Sequence, residues 1–166
     1  MSVRRLNHAV LFVRDVDRAV GFYTEALGLE AVHEMAGRAA FLRARESDND
    51  HDLGLFALGA GAPGPQQGAV GLYHLAWEVG TLGELADTAR RLTERGSLVG
   101  SSDHGVSKSL YAKDPDGNEF EVMWRVPREE WPAPESLGPP LRLDLDAELA
   151  RWGADLPTGA AAGSVT

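Results

Sequence analysis

Apolar and polar positions alternate between two spacings along this chain, and they do so in a fixed order. Leu6 to Val13 is a short apolar run of strand length. Asp15 follows in the position of an N-cap, and Val16, Ala19, Val20, Tyr23 and Leu27 then recur at helical spacing. Gly28 supplies the stop expected just past a helix. Three strand-like runs come next, near 29–35, 38–45 and 52–58. Gly59 to Gly68, with Pro63 and Pro65, reads as a linker.

Beyond the linker the same order begins again. Gly71 to Val79 predicts a strand. Thr81 and Glu84 have the spacing of a capping box, and Leu82, Leu85, Ala86, Ala89 and Leu92 mark an apolar helix face. Gly96 ends that helix. Strands are expected near 98–102, 106–113 and 118–126, the last two joined by a turn at Asp114-Pro115-Asp116-Gly117. The helix caps Asp15 and Thr81 lie 66 residues apart, as do His8 and His74 in the preceding runs. The pattern is α+β: two tandem βαβββ modules, at 1–58 and 70–126, joined by a linker at 59–69.

Residues 127–166 break the repeat. Five prolines fall between Val126 and Pro140, Leu141 to Trp152 has room for one short helix, and Leu156 to Thr166 reads as a small-residue, mobile tail. The extension as a whole reads as a wrapping or partner-contacting segment, with a disordered end as the alternative. Composition then narrows the chemistry. The chain of 166 residues has no cysteine, which removes disulfides, thiolate metal sites and thiol nucleophiles. Sixteen basic against 25 acidic side chains leave a net charge of −9, which disfavours nucleic-acid backbones and anionic lipid surfaces. No apolar run reaches the roughly 18–20 residues of a membrane span. The strand pattern starts almost at once, leaving no room for a leader, so the expected location is the cytoplasm.

Any metal site in such a chain is built from His, Asp and Glu. His8 and His74 hold equivalent positions in the two modules; if a pseudo-twofold relates the modules, those strands lie together and both imidazoles can point into one cavity. In the run Glu119-Phe120-Glu121-Val122-Met123-Trp124, alternation puts Glu119, Glu121 and Met123 on one face and Phe120, Val122 and Trp124 on the other. In a sheet curved around a cavity, one of Glu119 and Glu121 can face inward. His8, His74 and that carboxylate, Glu121 being the candidate, would make a facial set suited to Fe(II), with Mn(II) as the alternative. Zinc accepts the same ligand types.

Several segments resemble the vicinal oxygen chelate superfamily: Leu6-Asn7-His8, Gly71 to Ala76, and the hairpin from Ala112 to Glu121. Within it, the chain is most similar to single-domain type I extradiol dioxygenases of the catechol 2,3-dioxygenase kind. The resemblance runs through about residues 5–126 and more weakly through Pro127 to Pro132 and Leu143-Asp144-Leu145. It implies paired βαβββ modules whose curved mixed sheet surrounds a metal held by His8, His74 and Glu121. It further implies an acid/base role for His51, in His51-Asp52-Leu53-Gly54-Leu55, and substrate hydrogen bonds from His104 and Tyr111. His33 is left as a surface residue. Whether Tyr111 reaches the site depends on the turn. A four-residue turn at 114–117 pairs Tyr111 with Phe120, and a five-residue loop sets it opposite Glu121.

The activity so implied is ring cleavage of a catechol-type diol with O₂, the partners being a small aromatic diol and dioxygen. An imidazole titrates near pH 6.5, so one can accept the diol proton and return it. Phe12, Phe56, Leu72 and Trp124 are candidate walls for the aromatic ring. Edge strands and the C-terminal extension favour a homodimer. Two alternatives share the fold: a glyoxalase-like metal enzyme and an antibiotic-binding protein of the bleomycin-resistance kind. The first usually has a fourth ligand on the last strand of module one, and Leu53 to Leu58 offers none.

Overall fold

The structure is a computed structural model that describes residues 2–159. Residues group into two compact units. The first runs to Gln67 and includes the turn Asp114–Asn118; the second comprises Gly68–Lys113 and the chain from Glu119 onward. Among the described residues no helix is long and apolar enough to cross a membrane.

In the first unit the order is β1 (Ala9–Val13), α1 (Val16–Leu27), β2 (Glu30–Met35), β3 (Ala39–Arg43) and β4 (Leu53–Ala57). The sheet order is β1-β4-β3-β2, with β1 parallel to β4 and the other pairs antiparallel. Asp15 caps α1 by accepting from the Arg18 N–H at 3.0 Å, and Gly28 ends it at φ +71°, a conformation glycine adopts without strain. Leu11, Val13, Ala40, Leu42, Leu53 and Leu55 are buried on the helix-covered face. The buried stripe of α1 is Val16, Ala19, Phe22, Tyr23 and Ala26. It is rotated slightly from the expected face, so Val20 and Leu27 are only half-buried.

The second unit repeats the plan: β5 (Leu75–Glu78), α2 (Leu82–Glu94), β6 (Leu98–Asp103), β7 (Ser107–Lys113) and β8 (Glu119–Arg125). Its sheet order is β5-β8-β7-β6, with β5 parallel to β8. The Thr81/Glu84 capping box forms in full. Leu82, Leu85 and Leu92 of α2 are buried, as are Leu110, Phe120, Val122 and Trp124 of the sheet. These two four-stranded mixed sheets, each with a helix after its first strand, are the α+β fold read from the repeat.

Three expectations need correction. β1 and β5 begin at Ala9 and Leu75, so His8 and His74 each stand one residue before their strands. The first ladder bond comes from the Ala9 N–H, to the Asp52 carbonyl, and residues 2–8 are exposed ahead of it. Trp124 is no wall for a ligand: it is fully buried on the helix-covered face, opposite the face of Glu121, and its Nε1 donates to the Leu156 carbonyl at 3.1 Å. The tail segment 156–159 is docked, through buried Leu156, a bridge between Thr81 and Pro157, and Thr158 donating to Glu78 at 2.7 Å. Residues 160–166, expected to be mobile, lie outside the described residues. The short helix of the extension is α3 (Leu145–Trp152), preceded by 3₁₀ turns at Arg128–Glu130 and Pro134–Ser136.

Candidate metal centre

In the second unit the β7–β8 hairpin decides the position of Tyr111. The ladder closes at Lys113–Glu119, so the connection is a five-residue loop and Tyr111 stands directly opposite Glu121. Asp114 shapes that loop: its Oδ1 accepts from the N–H groups of Asp116 and Asn118, and its Oδ2 accepts from Asn118 Nδ2, all at 2.9 Å. Gly117 sits at φ +92°. Parallel pairing of β5 with β8 places Ala76 beside Glu121. His74, two residues earlier, sets its Nε2 3.2 Å from Glu121 Oε2.

Around this pair the side chains are polar and partly shielded. The His74 and Glu121 side chains are 24% and 13% exposed. The His74 and Tyr111 ring centroids lie 5.8 Å apart, and Tyr73 stacks obliquely on His74 at 4.6 Å. His104, in the loop after β6, sets Nε2 2.8 Å from the Tyr111 hydroxyl. Burial, then the charge of Glu121, pushes the Tyr111 hydroxyl above its ordinary range. The phenol therefore keeps its proton at neutral pH and remains a donor.

The first unit assembles the other two histidines. The His8 and His51 ring centroids are 4.5 Å apart, and Phe41 packs edge-on against His51 at 5.0 Å. A chain of amides fixes the His8 tautomer. For Asp52, burial works against the charge, but bonds from the Ala44 N–H, Asn49 and Ser47 outweigh it and hold the carboxyl below its ordinary range. An ionised carboxylate only accepts, so Asn49 must turn Nδ2 to Asp52 Oδ1 (2.7 Å) and Oδ1 to Asn7 Nδ2 (3.0 Å). That leaves Asn7 Oδ1 to accept from His8 Nδ1 at 2.8 Å, so in the neutral ring the lone pair is the one on Nε2. His51 is arranged alike, with Asp50 Oδ2 2.8 Å from Nδ1. His33 is exposed on β2, stacked on Phe41. Phe12 (66% exposed) and Val10 are open to solvent on β1, with Phe12 paired to half-buried Phe56 of β4.

The donor chemistry suits a divalent cation. An imidazole nitrogen and a carboxylate oxygen 3.2 Å apart have the separation of neighbouring ligands on an ion with bonds of about 2.1 Å. His74 Nδ1 is buried without a hydrogen-bond partner among the described residues. Among those residues no three His, Asp or Glu side chains converge on one point, and His8 belongs to the other unit. Asn7, Asn49 and Asp50, which orient the first-unit imidazoles, had no signal in the spacing, because polar loop residues are common and only their partners single them out.

The repeated modules and the His74–Glu121–Tyr111 face define a class. The family model of the Glyoxalase/Bleomycin resistance protein/Dioxygenase superfamily matches residues 5–122, and the chain belongs to that superfamily. Over 127 residues it is 33% identical to the catechol-2,3-dioxygenase of Bacillus subtilis (strain 168), a match covering 76% of this chain and 43% of the relative. Over 121 residues it is 34% identical to biphenyl-2,3-diol 1,2-dioxygenase 3 of Rhodococcus globerulus, covering 72% of this chain and 62% of the relative. The chain thus spans about half the length of these two relatives. Among solved structures it is similar to the lactoylglutathione lyase of Agrobacterium tumefaciens, with TM-score 0.55 and 27% identity over 74% of this chain and 95% of the other.

Proposed function

We propose that the protein is an Fe(II)-dependent extradiol dioxygenase that inserts both atoms of O₂ into a catechol-type diol and opens its ring. The observation that carries this is the second-unit cluster. Glu121 and His74 have neighbouring-ligand separation, Tyr111 stands in register with Glu121, and His104 is bonded to Tyr111. Similarity to two enzymes named as diol dioxygenases supports it.

In this reading His8, His74 and Glu121 hold the ion, and Mn(II) is the alternative to iron. Bound there, the ion supplies a two-point anchor for the diol and electron transfer to oxygen. The chain's own groups do the rest. His51, with Asp50 holding its Nδ1, takes the diol proton on Nε2 and returns it later in the turnover. The protonated Tyr111 donates to a substrate oxygen as charge develops there, its own oxygen accepting from His104 Nε2, and His104 donates to the substrate where that bond is exchanged for one to the diol. Phe12, Phe56 and Leu72 are the apolar surfaces proposed to face the ring. A homodimer in the cytoplasm belongs to the same reading.

Anaerobic loading with Fe(II), followed by air and a panel of catechols, tests it. The expected result is Fe(II)-dependent oxygen uptake with a yellow ring-opened product. Glu121→Ala is expected to lose iron binding, whereas His51→Phe keeps iron and loses turnover. Full activity in His51→Phe refutes the acid/base role. The lactoylglutathione lyase similarity favours a second reading, a glyoxalase-like isomerase. Metal-dependent conversion of a thiohemiacetal with no reaction of any catechol would select it.

A further inference from the structure

Lys108 occupies an unusual place for a lysine. Alternation on β7 sends Ser107, Ser109 and Tyr111 to one face and Lys108, Leu110 and Ala112 to the other, where Leu110 and Ala112 are core. Lys108 is 4% exposed. An ammonium survives such burial only between anionic partners. It has two: Asp103 Oδ2 at 2.6 Å, its cross-strand neighbour at the end of β6, and Glu148 Oε1 at 3.2 Å, on α3.

Each carboxylate has a second attachment. Glu148 Oε2 accepts from Trp152 Nε1 at 2.8 Å, which fixes it within α3. Asp103 Oδ1 accepts from the Gly105 N–H at 2.8 Å, closing a turn whose middle residue is His104. The C-terminal extension grips that turn directly as well. The Asp103 N–H and carbonyl both pair with Leu141, at 2.8 and 2.9 Å. Gly105, at φ +75°, lies so close to Pro132 that a Cβ there would stand 3.1 Å from the proline ring. The extension and the turn together line an open pocket of about 270 Å³ at His104. Burial alone would raise the Asp103 carboxyl, but the Lys108 bond and the Gly105 N–H outweigh it and hold it below its ordinary range.

We propose that Lys108 is a positioning residue. Clamped between Asp103 and Glu148, it makes the C-terminal extension part of the frame that aims His104 at the Tyr111 hydroxyl. The catalytic consequence rests on the ring-cleavage reading; the effect on the His104 loop does not. Neither Lys108 nor Glu148 touches the groups proposed to bind metal or diol.

Nuclear magnetic resonance on ¹⁵N-labelled protein tests it, reading the His104 ring nitrogens and the Gly105 amide, with the His33 ring as control. In Lys108→Met both signals should shift or broaden while His33 stays in place, and Lys108→Arg should restore them. Glu148→Gln, which leaves the ammonium on Asp103, should move them in the same direction by less. With Fe(II) and a reactive catechol, Lys108→Met should lose on the order of 100-fold in kcat with KM and iron binding little changed. A purely stabilising pin would lower Tm and leave the His104 and Gly105 signals where they are, and that result overturns the proposal. Where Lys108→Met does not fold, unchanged signals in Glu148→Gln overturn it equally. Absence of catechol turnover in the wild-type protein would remove the ring-cleavage reading, while the same signals still decide whether Lys108 sets the loop.

Discussion

Tyr23 shows how much one buried polar atom organises. Its hydroxyl donates to Asp114 Oδ2 at 3.1 Å, joining α1 to the turn whose shape Asp114 already fixes. Burial, then the Asp114 charge, raises the phenol far above its ordinary value of about 10. The folded protein therefore keeps this proton while an unfolded chain releases it. The stability is fully present below about pH 10 and falls as pH rises beyond that value. Tyr23→Phe should cost about 1–2 kcal/mol near neutrality and flatten the alkaline limb, measured by urea unfolding across that range. An alkaline limb unchanged in the variant would assign the loss to other groups. At this scale the sequence was legible wherever partners are neighbours, as with Asp15 and the Arg18 N–H. Asn7–Asn49 and Lys108–Glu148 were not legible, because roughly forty residues separate each pair.

At the scale of elements, local chemistry sets the boundaries well. The second helix starts where Thr81 accepts from the Glu84 N–H and Glu84 Oε2 accepts from the N–H groups of Gly80 and Thr81. Thr81→Ala should cost about 1 kcal/mol, read as a lowered urea midpoint with an unchanged slope. Strand starts were less legible. His8 and His74 continue apolar runs in sequence, yet a strand exists only where a neighbour supplies ladder bonds. Those begin at Ala9 and Leu75. The hairpin register was equally a matter of pairing: two turn lengths fit the residues 114–117, and the bond from the Asp114 N–H to the Asn118 carbonyl selects the longer.

For the whole molecule, ion binding as proposed should be linked to stability. His8 and His51 lie in the first unit, and His74, His104, Tyr111 and Glu121 in the second. A cation bound as proposed should stabilise the folded chain by about 2.7 kcal/mol at a free concentration 100 times Kd. Anaerobic thermal unfolding should show a rise in Tm with Fe(II) that is absent in Glu121→Ala and reversed by a chelator. A Tm indifferent to Fe(II), Mn(II) and Zn(II) would remove the metal reading.

By itself the sequence determined the duplicated βαβββ order, the helix caps, the core face of β8 and the residue types available for chemistry. These depend on period, capping and composition, which are properties of near neighbours in the chain. Only the tertiary structure decided that Tyr111 faces Glu121, that an amide chain sets the His8 tautomer and that the extension packs around the His104 loop. Each depends on which backbone and side-chain groups pair, from a hairpin register to residues about forty apart, and no local pattern specifies that pairing.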